Sequence, residues 1–215
     1  MRGEEGMMYR RWFTLYVFAI SLLAGGTAQA ATILVFGDSI SAAYGMETRQ
    51  GWVTLLQQHL NDVAPGKHSV INGSLSGETT AGGLKRLPPL LQQHRPDIVI
   101  LELGGNDGLR GQPPALMKQN LLRMVTAAKK SGASVILLGM KIPPNYGKAY
   151  TTAFEQVFVA VSQSSGSKLM PFFLEGVGGN PTLIQKDGIH PTAQAQKKLL
   201  NNVLPILLPE LKKYR

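Results

Sequence analysis

Cysteine is absent from the 215 residues, which excludes disulfides, thiolate catalysis and zinc–thiolate sites. Acids are scarce: 13 Asp and Glu stand against 22 Lys and Arg, a formal net charge of +9. A basic balance draws in anionic substrates or membrane surfaces. The cations are dispersed, however, apart from short pairs such as Lys129-Lys130 and Lys212-Lys213. No basic helix carries interleaved aromatics, so nucleic acid is not an expected partner. Neither G-x-G-x-x-G nor G-x-x-x-x-G-K-[ST] follows the first strand-like run, which weighs against an exported nucleotide- or phosphate-binding module. Repeats, low-complexity tracts and linkers are also missing.

Long apolar runs are lacking except near the start, where Trp12–Leu23 follows Arg10 and Arg11. That run is shorter than the roughly 20 apolar residues of a membrane span. Ala28-Gln29-Ala30 supplies a small-residue cleavage site, completing the three-part pattern of a secretory signal peptide. Residues 1–30 are therefore expected as a leader, with an uncleaved anchor as the alternative. The true start is Met1, Met7 or Met8. The location is outside the cytoplasm, periplasmic in a Gram-negative source and secreted otherwise. Residues 31–215 suit one domain with a full-sized core, and the 44% hydrophobic content can supply it without disulfides. The leader carries three Arg against two Glu, so about +8 of the charge stays with the mature chain.

Within that domain, strand-like and helix-like segments alternate. Thr32–Phe36, Ser69–Ile71, Ile98–Leu101, Val135–Leu138 and Leu169–Phe173 read as strands. Helices are expected over 52–60, where positions 52, 55, 56 and 60 share a face, and over 79–93. Further helices are expected from Pro113-Pro114 to about 130, over 151–163, and from Pro191 to about 208. A β-α-β-α rhythm implies an α/β fold with a parallel sheet and helices on both faces.

Chemistry-bearing residues gather at one rim of such a sheet. Ser39 follows the first strand, Gly77 the second, Asn106 the third, and Asp187 with His190 the fifth, all beyond carboxyl ends, where open α/β sheets bind ligands. Serine needs a base, and His190 three residues after Asp187 offers an imidazole already paired with an acid. An oxyanion needs fixed donors, and the backbone N–H groups of Ser39 and Gly77 and the amide of Asn106 are the candidates. In a sheet ordered 2-1-3-4-5, His190 must return across three strand spacings of about 4.8 Å. The 17 residues from Phe173 to His190 reach that far with slack at about 3.3 Å each.

Gly37-Asp38-Ser39-Ile40, Gly77, Gly104-Gly105-Asn106-Asp107 and Asp187-Gly188-Ile189-His190 resemble the four blocks of the SGNH, or GDSL, serine hydrolases. Longer strings (Ser76–Thr79, Leu101–Gly111, Pro144–Gly147 and Asp187–Pro191) resemble their bacterial exported thioesterase I/lysophospholipase/arylesterase branch, across the whole mature chain. Ile40 stands where the family usually has leucine, a conservative change. The resemblance implies a three-layer α/β/α flavodoxin-like fold whose five-stranded parallel sheet has the order 2-1-3-4-5. It implies hydrolysis of aryl and alkyl esters, acyl thioesters and lysophospholipids, with no metal and no cofactor. Ser39, Asp187 and His190 would be catalytic, and Ser39, Gly77 and Asn106 would form the oxyanion site. Pro144, Asn145 and Tyr146 would line an acyl-chain site, and Arg110 would meet a substrate phosphate. Small-molecule acyl substrates, transient contact with lipid and a monomeric state are expected.

Other readings stand beside these. A serine after a strand also serves as a helix cap, Asn106-Asp107 and Asp187-Gly188 are common turn formers, and Arg110 on a surface is ordinarily solvated. The prolines of Lys141–Tyr150 also serve to stiffen a loop. His59, His68 and His94 lack an acid at the rim and read as structural or solvated. Gly73–Gly77 has Leu75 where a nucleophile elbow requires serine. A carbohydrate O-deacetylase of the same family is the alternative enzyme, and an exported surface-binding protein with a dead site is a third class.

Overall fold

The computed structural model describes residues 30–214. The expected leader, apart from Ala30, and the choice of start lie outside the described residues. Five strands form one parallel sheet: β1 (Thr32–Gly37), β2 (Ser69–Asn72), β3 (Ile98–Glu102), β4 (Ser134–Leu138) and β5 (Lys168–Met170). Their order is β2-β1-β3-β4-β5, which leaves β1 and β3 in the middle. Ile33–Phe36 and Ile98–Leu101 are buried without alternation, because both faces of a parallel sheet are covered. The α/β class and the 2-1-3-4-5 order are as the sequence implied.

Among the described residues, six α-helices accompany the sheet: α1 (Trp52–Val63), α2 (Thr80–His94), α3 (Gly105–Leu109), α4 (Pro114–Lys130), α5 (Lys148–Ser165) and α6 (Gln196–Leu211). α1 packs on α6, while α4 packs between α2 and α5, giving two helical layers. The amphipathic reading of α1 holds, with Trp52, Val53, Leu56 and Leu60 buried on one face. Thr79 caps α2 by accepting the N–H of Gly82 at 3.2 Å, and Arg95 ends it in the left-handed region at φ 43°. Pro88 and Pro89 sit inside α2 on its exposed side, where water can satisfy the carbonyls that a proline leaves unbonded.

Several boundaries differ from the sequence reading. β5 stops at Met170 and does not run to Phe173, because Pro171 has no N–H to extend the ladder. The chain still clings to β4 through Gly139, whose N–H donates to Met170 O and whose O accepts from Phe173 N, both at 2.8 Å. α5 begins at Lys148 rather than Thr151, after a 3₁₀ turn at Pro144–Tyr146 and Gly147 at φ +86°. α6 begins at Gln196, several residues after Pro191, and reaches Leu211 rather than Leu208. Its buried stripe Leu199, Val203, Leu207 and Leu211 carries it past Pro205 and Pro209, which face solvent. α3 is a helix in a stretch to which the sequence assigned no element.

Candidate active site

The chain leaves β1 in a turn fixed from three sides. Gly37 N–H donates to Ser74 Oγ at 3.0 Å, and Leu75 N–H donates to Gly37 O at 3.1 Å. Asp38 Oδ1 accepts the N–H of Ile40 at 3.1 Å. These bonds hold Ser39 at the rim with its hydroxyl pointed at the β5–α6 loop. Ser39 Oγ lies 2.8 Å from His190 Nε2, and His190 Nδ1 lies 2.6 Å from Asp187 Oδ2. Residues 151 positions apart thus form one line.

Local backbone chemistry builds the acid–imidazole pair. Asp187 Oδ1 accepts the N–H of Ile189 at 2.9 Å and of His190 at 3.0 Å, with Gly188 at φ +74° making the bend. Burial alone would raise the Asp187 pKa. The backbone N–H groups of His190 and Ile189 and the imidazole outweigh it and hold the carboxyl down at about 2. An ionised carboxylate only accepts, so Nδ1 carries the proton and Nε2 is left to accept from the Ser39 hydroxyl. Proton transfer from Ser39 to Nε2 is therefore open to this geometry.

Two residues that hold His190 had no signal in the sequence. Gln185 donates its N–H to His190 O at 2.7 Å, and its Nε2 donates to Tyr44 O and Pro191 O, each at 2.9 Å. It ties the loop of Ser39 to the loop of His190. The Tyr44 ring lies 4.4 Å from the imidazole, centroid to centroid.

Asn106 sits in the first turn of α3. Its Nδ2 donates to Asp38 Oδ2 at 3.1 Å, which leaves the second N–H free of that bond. Gly104, at φ +122°, makes the turn into α3, and a Cβ there would lie 3.0 Å from Met117 Sδ. Asp107 faces inward and accepts from Thr80 N–H at 2.8 Å and Thr80 Oγ–H at 2.5 Å, joining α3 to the start of α2. Gly77, at φ +76°, is held from the other side by Arg110 Nη2, which donates to Gly77 O at 3.2 Å. Among the described residues, the N–H groups of Ser39 and Gly77 have no protein acceptor. Asp38 is 2% exposed. Burial pushes its pKa up to about 6, against the lowering effects of the Ile40 N–H, His190 and Asn106.

Ser39, Asn106 and His190 share the wall of a cleft of about 490 Å³. The remainder of its lining is mainly apolar, including Leu109, Met140, Ile142, Pro144, Phe172 and Ile184. Of the four residues expected around the substrate, Pro144 lines this cleft. Asn145 is exposed on the 3₁₀ turn, and Tyr146 donates its hydroxyl to Leu109 O at 2.8 Å, bracing α3. Arg110 is exposed and bonded to Gly77. Ile142, Phe172 and Ile184 were not singled out in the sequence, since they are spread over three loops that only the fold brings together.

Residues 35–198 match the GDSL-like Lipase/Acylhydrolase family. The chain belongs to that family. The hydrolase is 54% identical over 184 residues to the Esterase TesA of Pseudomonas aeruginosa, covering 86% of this chain and 91% of that one. It is 42% identical over 186 residues to Thioesterase 1/protease 1/lysophospholipase L1 of Escherichia coli K12, covering 86% and 87%. The crystal structure of TesA superposes on it with a TM-score of 0.81, over 83% of this hydrolase and 99% of that chain. The psychrotrophic esterase EstA from Pseudoalteromonas sp., solved in a form inhibited by monoethylphosphonate, superposes at 0.78. It is 40% identical and covers 86% of the hydrolase and 98% of its own chain.

Proposed function

We propose that the hydrolase is an exported esterase and thioesterase that works through an acyl-enzyme on Ser39. The observation that carries this reading is the unbroken line Ser39–His190–Asp187 opening onto an apolar cleft. Ser39 Oγ attacks the acyl carbon while its proton passes to His190 Nε2. The carbonyl oxygen becomes an oxyanion, received by the N–H groups of Ser39 and Gly77 and the free N–H of Asn106. Collapse breaks the bond to the alkoxide or thiolate, which leaves with the proton from His190. Water then enters, gives a proton to His190 and attacks the acyl carbon. A second collapse releases the acid and returns the proton to Ser39. Asp187 holds the imidazole in the required tautomer throughout. No step calls for a metal or cofactor.

The apolar walls favour an acyl chain over a sugar as the group that fills the cleft, which supports aryl and alkyl esters, acyl thioesters and lysophospholipids as substrates. Aryl esters are named in the arylesterase of Vibrio mimicus, and thioester and lysophospholipid hydrolysis in the name of the E. coli relative. Export and a mature start at Ala31 fit a chain whose β1 begins at Thr32, with Ala31 buried and its N–H donating to His68 Nδ1 at 3.2 Å. Residues 31–215 then constitute the hydrolase domain. The test is one panel of acyl-CoA, aryl ester, lysophospholipid and acetylated sugar, with N-terminal sequencing of the exported protein. Turnover of the first three and a terminus at Ala31 are expected. Turnover of acetylated sugar alone would replace this reading with a carbohydrate deacetylase, and an intact Met1 or Met8 in a membrane fraction would make the enzyme an anchored one.

A further inference from the structure

Glu102 ends β3, directly opposite Gly37 of β1, and is completely buried. The rest of its strand is aliphatic, and among the described residues no cation pairs with it. Burying a carboxyl without a counter-charge is unfavourable, and an apolar side chain would fill the same space at lower cost. What the carboxyl does there is visible in its bonds. Oε2 accepts from Ser41 Oγ–H at 2.7 Å and from Asp38 N–H at 3.3 Å, while Oε1 has no partner. Ser41 Oγ in turn accepts from Trp52 Nε1–H at 3.2 Å, so the carboxyl heads a chain anchored in α1. Burial and the neighbouring Asp38 carboxyl push the Glu102 pKa well above the usual range. Gly37 leaves room for it, since a Cβ at that position would lie 2.5 Å from Oε2.

These bonds fall on alternate amides of the nucleophile turn. Glu102 takes the N–H of Asp38, and Asp38 Oδ1 takes the N–H of Ile40. The amide between them, the N–H of Ser39, is the one left without a protein acceptor. We propose that Glu102 is a positioning residue for acyl transfer: its Oε2 fixes the Gly37–Asp38 peptide so that the next N–H, that of Ser39, faces the developing oxyanion. This rests on the reading of Ser39 as nucleophile. Glu102 touches neither substrate nor reacting atoms and acts through the turn. A looser turn leaves substrate binding in the apolar cleft intact but misaligns a donor needed in the transition state, so the loss belongs in kcat.

The test compares Glu102→Met, Glu102→Gln and Ser41→Ala on an aryl ester, with circular dichroism as the check on folding. Glu102→Met keeps the side-chain length but has no oxygen acceptor, and kcat should fall about 30- to 100-fold, a little less than a lost oxyanion donor, with KM within about twofold. Glu102→Gln keeps an acceptor oxygen and should recover kcat to within about threefold of wild type. Ser41→Ala frees the carboxyl on one side and should lower kcat about three- to tenfold at unchanged KM. Fluorophosphonate labelling of Ser39 should slow by the same factors. A folded Glu102→Met with wild-type kcat overturns the proposal, as does Glu102→Gln losing as much as Glu102→Met. If Glu102→Met does not fold, Ser41→Ala with unaltered kcat overturns it. Labelling of the wild type at a serine other than Ser39 would instead overturn the functional reading beneath it.

Discussion

Replacing Asn106 with alanine tests the proposal that its side chain donates to the oxyanion. One N–H of its Nδ2 is committed to Asp38 Oδ2 at 3.1 Å, and the other is available to the substrate oxygen. That second bond forms fully only when negative charge develops, so its loss should appear in kcat and spare KM. One such donor is worth about 10²–10³-fold in kcat, or about 2.7–4 kcal/mol. The committed N–H adds to the loss, because its removal also unties Asp38 from α3 and loosens the turn that carries Ser39. We therefore expect the upper half of that range for Asn106→Ala. Steady-state kinetics with a p-nitrophenyl ester, at matched circular dichroism, read both parameters. An unchanged kcat with a raised KM would refute the reasoning and make Asn106 a substrate-binding residue.

Loss of His190 as alanine should remove nearly all ester hydrolysis, whereas Asp187→Ala should cost about tenfold less or better, since it orients the proton carrier without transferring the proton; equal losses in the two variants would contradict that division. A carboxyl-carbon NMR titration should find Asp38 titrating near 6 and Asp187 near 2, and the reverse order would overturn the electrostatic account. The linked effects on stability have opposite signs. Asp38 keeps its proton longer folded than unfolded, so its contribution is greatest below its ordinary value of 3.8 and is lost as pH rises towards 6. Asp187 contributes above 3.8, and that stability is lost as pH falls towards 2. Gly139→Ala would set a Cβ 2.3 Å from Pro171 O, a backbone atom that cannot swing aside. It should destabilise the fold by about 1–3 kcal/mol in denaturant melts, and an unchanged midpoint would show that the β4–β5 junction yields.

The sheet was legible because its strands announce themselves. Ile98–Leu101 and Val135–Leu138 are aliphatic runs too short for helices, and only burial on both faces explains them. Residues at the rim were legible for the related reason that each chemical block follows a strand. What escaped notice depends on contacts distant in sequence. Gln185 looks like an ordinary loop glutamine until it is seen joining Tyr44 to His190. Glu102 reads as the polar end of a strand, and nothing local says that it bonds to the amide of Asp38. Tyr146 was expected beside the acyl chain on the strength of its loop, yet its hydroxyl is bonded to Leu109 O. The missed extension of α6 has a local cause, since Pro209 reads as a stop unless one knows that it faces solvent.

The central claim is that Ser39 is the nucleophile, and covalent capture tests it most directly. Treating the active enzyme with a fluorophosphonate and mapping the adduct by peptide mass spectrometry should find a single modified residue, Ser39. Labelling should vanish in Ser39→Ala and slow sharply in His190→Ala. An adduct on any other serine, or full loss of activity with Ser39 unmodified, would contradict the account.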